Sequence, residues 1–201
     1  GLESAGIKFD KKGIKVDARL RTNKKHIFAA GDVAGGPQFT HVAGYHAGII
    51  IRNILFKIPA KVDYTALPWV TYADPELAQV GMTETVARKK FGKRIKTVTW
   101  KFKENDRAQA EHRTEGMIKV ITQKNGRIIG ATIAAPGAGE MIGLWALAIS
   151  QKMKIGAVAG MIAPYPTFGE ISKRAAGAFF TPTLFSDRTR SIVNFLQKLP
   201  F

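Results

Sequence analysis

The sequence predicts an α+β protein: a strand–loop–helix piece first, then an antiparallel sheet with helices. Three observations predict it. A short apolar segment ends in Gly31-Asp32 and a glycine-rich loop, after which small and aliphatic residues recur at helical spacing. From Pro68 onward, five short runs with strand character follow one another, two of them joined by Asn125-Gly126, a dipeptide that favours tight hairpins. Apolar residues make up 45% of the 201, enough to build a core.

Taken in order, Gly13–Asp17 reads as a short strand after a turn, and His26–Ala30 as a second, more apolar strand. Gly31-Asp32 and Gly35-Gly36-Pro37 interrupt any regular element. A helix is predicted from Thr40, with Val42, Ala43, Ala47, Ile50, Ile51 and Ile54 on its apolar side. Lys57 to Leu67 reads as a linker. Strands are expected near Trp69–Tyr72, Leu77–Val80, Lys96–Phe102, Gly116–Thr122 and Arg127–Ala134, then helices over about 137–152 and 168–179. The tail, 181–201, has the spacing of a basic amphipathic helix, with Phe185, Ile192, Phe195, Leu196 and Leu199 near one face. The division is therefore residues 1–57, 58–180 and 181–201.

Composition excludes several classes of function. With no cysteine the chain has no disulfide, no thiolate metal site and no cysteine nucleophile of its own. His41, His46 and His112 lack metal-site spacing and read as loop or surface residues, so no metal site is assigned. No apolar run approaches the roughly 18 residues that would span a bilayer, and the opening residues do not read as a signal peptide. The first residue is Gly1, in a segment that reads as the middle of something longer.

Thirty-one Lys and Arg against 15 Asp and Glu give a net charge of +16. The densest basic run, Arg88 to Lys103, is interleaved with Phe91, Trp100 and Phe102, a pattern that would suit nucleic acid. The plainer reading is a solvated helix end followed by a strand whose alternate residues, Val98, Trp100 and Phe102, face a core. That reading is preferred, and no nucleic-acid partner is expected.

Two motifs carry candidate chemistry. Asp32, at the end of an apolar strand, could accept hydrogen bonds from sugar or ribityl hydroxyls, and the helix start at Thr40 and His41 presents N–H groups and a positive dipole end. Equally, Asp32 could simply turn the loop. In Tyr165-Pro166-Thr167-Phe168-Gly169-Glu170, Pro166 restricts Tyr165 to extended backbone, and Thr167 with Glu170 has the spacing of a capping box.

Taken together, His26–Asp32, Pro68–Glu84, Asn105-Asp106-Arg107-Ala108, Gly116–Val120, Pro136–Ile142 and Tyr165–Glu170 stand in a familiar order. Over residues 1 to about 180 the sequence resembles the C-terminal part of the pyridine-nucleotide–disulfide oxidoreductases, the family of dihydrolipoamide dehydrogenase, glutathione reductase and mercuric reductase. The resemblance implies that 1–57 closes an FAD-binding α/β domain and that 58–180 is a dimerisation domain. By that resemblance Gly31 and Asp32 would bind the FAD ribityl chain, and Thr40 and His41 would face the flavin ring. NAD(P)H would serve the intact enzyme. A homodimer would result, with Tyr165 and Glu170 completing the partner's site for a small disulfide, thiol or metal-thiolate substrate.

One departure is informative. Tyr165 stands where much of the family has an acid–base histidine, and a phenol with a pKa of about 10 stays protonated at neutral pH and donates a hydrogen bond. This is similar to the mercuric-reductase branch, although the C-terminal cysteine pair of that branch is missing. No Gly-x-Gly-x-x-Gly and no redox cysteine pair is present, so the chain alone is expected to be inactive. An inert homodimerisation remnant is the alternative. The basic tail could lie on an anionic membrane or pack on the dimerisation domain. A cytoplasmic protein is expected, with the inner membrane face open to the tail.

Overall fold

A computed structural model describes residues 1–199; Pro200 and Phe201, the end of the basic tail, lie outside the described residues. The chain forms two compact units, the first Gly1–Tyr64 and the second from Thr65 onward.

The first unit contains a two-stranded hairpin, β1 (Phe9–Asp10) and β2 (Gly13–Ile14), a 3₁₀ turn at Gly31–Ala34, and helix α1 (Thr40–Ile54). His26–Ala30 does not form the expected strand. Phe28 makes one antiparallel bridge with Arg21, and Ala29 N–H donates to the Leu20 carbonyl. An apolar run becomes a strand only when a neighbour offers a ladder, and here one bridge is formed. Helix α1 begins where predicted, but its buried face is Val42, His46 and Ile49, while Ile51 and Ile54 are exposed. Leu20, Ile49 and Ala60 form the small core, with Val62 packed against it.

The second unit is built on a five-stranded, wholly antiparallel sheet, ordered β3-β4-β7-β6-β5. Its strands are β3 (Pro68–Thr71), β4 (Glu76–Gly81), β5 (Ile95–Lys101), β6 (Met117–Gln123) and β7 (Ile128–Ala135). Asn125-Gly126 turns β6 into β7 as predicted, with Gly126 at φ 84 and the Arg127 N–H donating to Asn125 Oδ1. Alternation sorts the faces. Ala78, Val80, Ile118, Val120, Ala131 and Ile133 are fully buried on one side, because the pleat sends every second side chain the same way.

Helices α4 (Ala138–Ser150) and α6 (Glu170–Ala178) supply the same core through Met141, Ile142, Trp145, Ile171 and Ala175. Trp145 Nε1–H donates to Ser172 Oγ at 3.1 Å and so pins α4 to α6. On the opposite face, α2 (Glu84–Phe91) lays Ala87 against Ile95, Ile121 and Ile129. The basic run is thus the end of α2 followed by β5, with Phe102 buried and Phe91, Val98 and Trp100 half-buried.

Two short helices, α3 (Asp106–Ala110) and α5 (Ile155–Ala159), were not signalled by periodicity. The tail forms α7 (Thr181–Leu184) and α8 (Asp187–Leu196), and none of α8's residues is buried. Packing of α8 on the sheet domain is therefore not what its apolar face does here: Phe195 and Leu196 are exposed. Among the described residues no helix is long and apolar enough to cross a membrane.

Candidate functional site

In the first unit, Gly31 adopts φ +70, and a Cβ there would stand 3.1 Å from Ala43 Cβ on α1. A glycine is needed because the backbone approaches the helix this closely. The Gly31 N–H donates to His46 Nδ1 at 3.0 Å, and His46 Nε2 lies 2.6 Å from the Tyr64 hydroxyl. His46 is thus buried rather than a loop or surface residue, and burial pushes its pKa below the ordinary imidazole value. Tyr64, also desolvated, has its phenol pushed upward. His112, by contrast, is exposed at φ 54.

Asp32 follows directly, exposed, and its carboxylate accepts no hydrogen bond or ion pair among the described residues. Thr40 and His41 open α1. Its N-cap is Phe39, which offers no capping side chain, and no acidic residue occupies the first turn. The His41 ring stacks on Phe39 at 5.2 Å between centroids. The structure therefore sets Gly31 against α1 through Ala43 and His46, with Asp32 next in sequence and Thr40 and His41 opening the helix; His46 is the buried link that sequence reasoning missed. A signal existed: position 46 falls on the helix face of Val42 and Ile49, at i+4 from one and i−3 from the other.

In the second unit, Asn105 is the organising residue. Its Oδ1 caps α3 by accepting from the Ala108 N–H at 3.0 Å, and its Nδ2 donates to the Thr167 carbonyl at 3.0 Å. That pair of bonds holds the start of α3 against the Tyr165 loop, which Phe168 anchors on Phe102 with ring centroids 5.4 Å apart. Asp106 then receives the Tyr165 hydroxyl as donor at 2.7 Å. The bond to the Asp106 carboxylate raises the Tyr165 pKa, because ionising the phenol would destroy it and set two anions together.

Two expectations change here. The Thr167 hydroxyl donates to the Pro164 carbonyl at 2.8 Å, and α6 starts from Gly169 with no side-chain cap, so the capping box does not form. The Tyr165–Pro166 peptide is cis, and the phenolic proton is committed to Asp106, so the hydroxyl's remaining hydrogen-bonding capacity is its oxygen lone pairs. Glu170 is 8% exposed and accepts from Arg174 Nε at 2.8 Å. Tyr165, Glu170 and Arg174 line an open cleft of about 550 Å³ with Trp100, Lys173 and Thr181. The Trp100 indole N–H is buried with no hydrogen-bond partner among the described residues. Nor does any group of three or more His, Asp or Glu among them stand together as metal ligands.

Comparison with known proteins agrees on one family. Residues 67–176 match the dimerisation domain of the pyridine nucleotide-disulphide oxidoreductases, and residues 1–47 match a second model of pyridine nucleotide-disulphide oxidoreductases. A dihydrolipoyl dehydrogenase of Bacillus subtilis is 40% identical over 178 residues, 88% of this chain and 37% of that protein. A mercuric reductase of Staphylococcus aureus is 39% identical over 180 residues, 89% of this chain and 33% of its own length. Among solved structures, the HOCl-induced flavoprotein disulfide reductase RclA from Escherichia coli superposes with a TM-score of 0.82 at 29% identity. That superposition covers 88% of this chain and 41% of the other. The chain thus spans about a third of the length of the curated relatives it matches.

Proposed function

The chain belongs to the pyridine nucleotide-disulphide oxidoreductase family, whose members depend on FAD and NAD(P)H, and from that premise we propose that it supplies part of the flavin site and the dimer interface of such an enzyme. The substrate class we propose is a small disulfide, thiol or metal-thiolate.

The observation that carries this reading is the Asp32 carboxylate, exposed and bonded to no protein group among the described residues, yet next in sequence to Gly31, which is held against α1. The donor chemistry fits the cofactor. A carboxylate without a protein partner suits the hydroxyls of a ribityl chain. A helix start with no capping side chain and no acidic residue leaves N–H groups and positive dipole for the electron-rich edge of a flavin ring. Bound FAD would supply the redox chemistry, accepting hydride from NAD(P)H and passing electrons toward sulfur. Asp32, Gly31, Thr40 and His41 would bind and orient it.

In the homodimer, Tyr165 and Glu170 would face the partner's substrate. Tyr165 keeps its proton on the bond to Asp106, so its oxygen would orient a thiol or a metal-bound ligand by accepting a hydrogen bond, not by shuttling protons. Glu170, bonded to Arg174, would hold the start of α6 beside it. We also propose that α8 rests on an anionic membrane surface at the cytoplasmic face, supported by exposed Ile192, Phe195 and Leu196 beside Arg188 and Arg190.

Purification of the intact protein tests the central reading: it should carry flavin, and Asp32→Ala should weaken retention. A colourless wild-type dimer would instead favour an inert dimerisation remnant. For the tail, co-sedimentation should favour anionic over zwitterionic vesicles, and equal recovery with both would remove that part of the proposal.

A further inference from the structure

Gly31 is buried, and its backbone N–H has a side-chain acceptor, His46 Nδ1, at 3.0 Å. An amide N–H can only donate, so Nδ1 must present its lone pair. The proton of the neutral ring then sits on Nε2, where it is donated to the Tyr64 hydroxyl oxygen 2.6 Å away. Tyr45 and Tyr64 wall the imidazole, with ring centroids 6.2 and 6.0 Å from its own. The Tyr45 hydroxyl accepts in turn from the Asp63 N–H at 2.9 Å, which fixes that wall to the chain. The Gly31 N–H selects the tautomer, the Tyr64 hydroxyl accommodates it, and the tyrosine rings wall the imidazole.

The bond joins two things that must keep a set separation. Asp32 follows Gly31 directly, and His46 lies two turns into the helix that begins at Thr40 and His41. We infer that His46 is a positioning residue for the flavin, fixing the Asp32 carboxylate relative to the first turn of α1. This role rests on the reading that Asp32 and the α1 start contact FAD. If the acceptor is removed, the buried Gly31 N–H has no partner, and the relief open to it is for the loop to lift from α1 toward water. Asp32 moves with it. A protonated His46 has the same consequence, since its Nδ1–H would face the amide N–H. The aliphatic neighbours Val42 and Ile49, on the same helix face, could not replace the acceptor.

The test compares wild type, His46→Leu and His46→Asn in the intact protein. Leucine keeps bulk without an acceptor. Asparagine sets an amide oxygen close to the place of Nδ1. Titrating the flavin-free proteins with FAD should show affinity about tenfold or more weaker for the leucine variant, with asparagine recovering most of the loss. Separately, ¹⁵N spectra of the wild-type histidines should show His46 as the neutral Nε2–H tautomer at neutral pH, a result independent of flavin. Equal FAD affinity in all three proteins overturns the positioning role, and so does an Nδ1–H or doubly protonated His46. Should the leucine variant not fold, the asparagine variant and the tautomer decide: asparagine losing as much as an unfolded protein refutes the role. A wild-type protein that takes up no flavin sinks the site reading itself and the positioning role with it.

Discussion

Replacing Asn105 with alanine tests whether the Tyr165 loop and α3 are one mechanical unit. Asn105 is 2% exposed and makes two side-chain bonds, one to the Ala108 N–H and one to the Thr167 carbonyl. Losing the helix cap costs about 1 kcal/mol. Losing the bond to the half-buried Thr167 carbonyl costs about another 1 kcal/mol, water recovering part of it. For a unit of this size each kcal/mol lowers Tm by about 3 °C, so calorimetry should find Asn105→Ala about 6 °C less stable. Asn105→Asp separates the two bonds. A carboxylate still caps α3 and suits the helix dipole, but it cannot donate to Thr167 and sets oxygen against oxygen there. If the tie to the loop matters, aspartate loses stability too. An aspartate variant as stable as wild type, or an alanine variant within about 1 °C of it, would refute the claim that Asn105 holds the loop.

Three further outcomes are expected. Asp106→Asn should lower the Tyr165 pKa toward the ordinary phenol value, because the carboxylate bond is the leading cause of its elevation; a tyrosine-selective ¹³C titration in which Tyr165 is unmoved would show the bond is not kept in solution. The folded-state pKa of His46 is depressed, so the unfolded chain binds its proton more readily; stability should be full above about 6.5 and fall as pH drops toward 5, before carboxylates titrate. His46→Asn should flatten that stretch of a urea-stability profile, and an equal slope in both proteins would assign it elsewhere. Gly116→Ala, at φ +110 with its Cβ 1.8 Å from the Ala134 carbonyl oxygen, should cost more than about 3 kcal/mol, and an unchanged urea midpoint would contradict the backbone crossing there.

Much of the second unit was legible because its signals are local. The Asn125-Gly126 turn, the strand expected near Gly116–Thr122 and the helix expected over about 137–152 each rest on residues close in sequence, and each forms near its expected place. His26–Ala30 failed as a strand because strandness is a property of a pair, and no local pattern names the partner. The short helices α3 and α5, five residues each, are too brief to display a period. Site geometry was legible only as residue identity. The motif singles out Tyr165, but its hydrogen-bond partner lies 59 residues away, so the commitment of its proton to Asp106 is invisible in the motif itself. His46, which lacks metal-site spacing and reads as a loop or surface residue, lies inside because its register on α1 joins it to Val42 and Ile49.

The two borders of the sheet bear on how copies of this chain can meet. At one border, β3 is four residues long and opens with Pro68, which has no N–H to offer a further strand. At the other, β5 carries Lys96 and Lys101 exposed, and the Lys96 ammonium sits 4.5 Å over the Phe179 ring. Neither border invites backbone pairing by another chain, since one is short and opens on a residue with no N–H and the other would bring like charges together. A homodimer of this protein would have to mate through side chains, and the same guarded borders discourage crowded copies from growing into fibres.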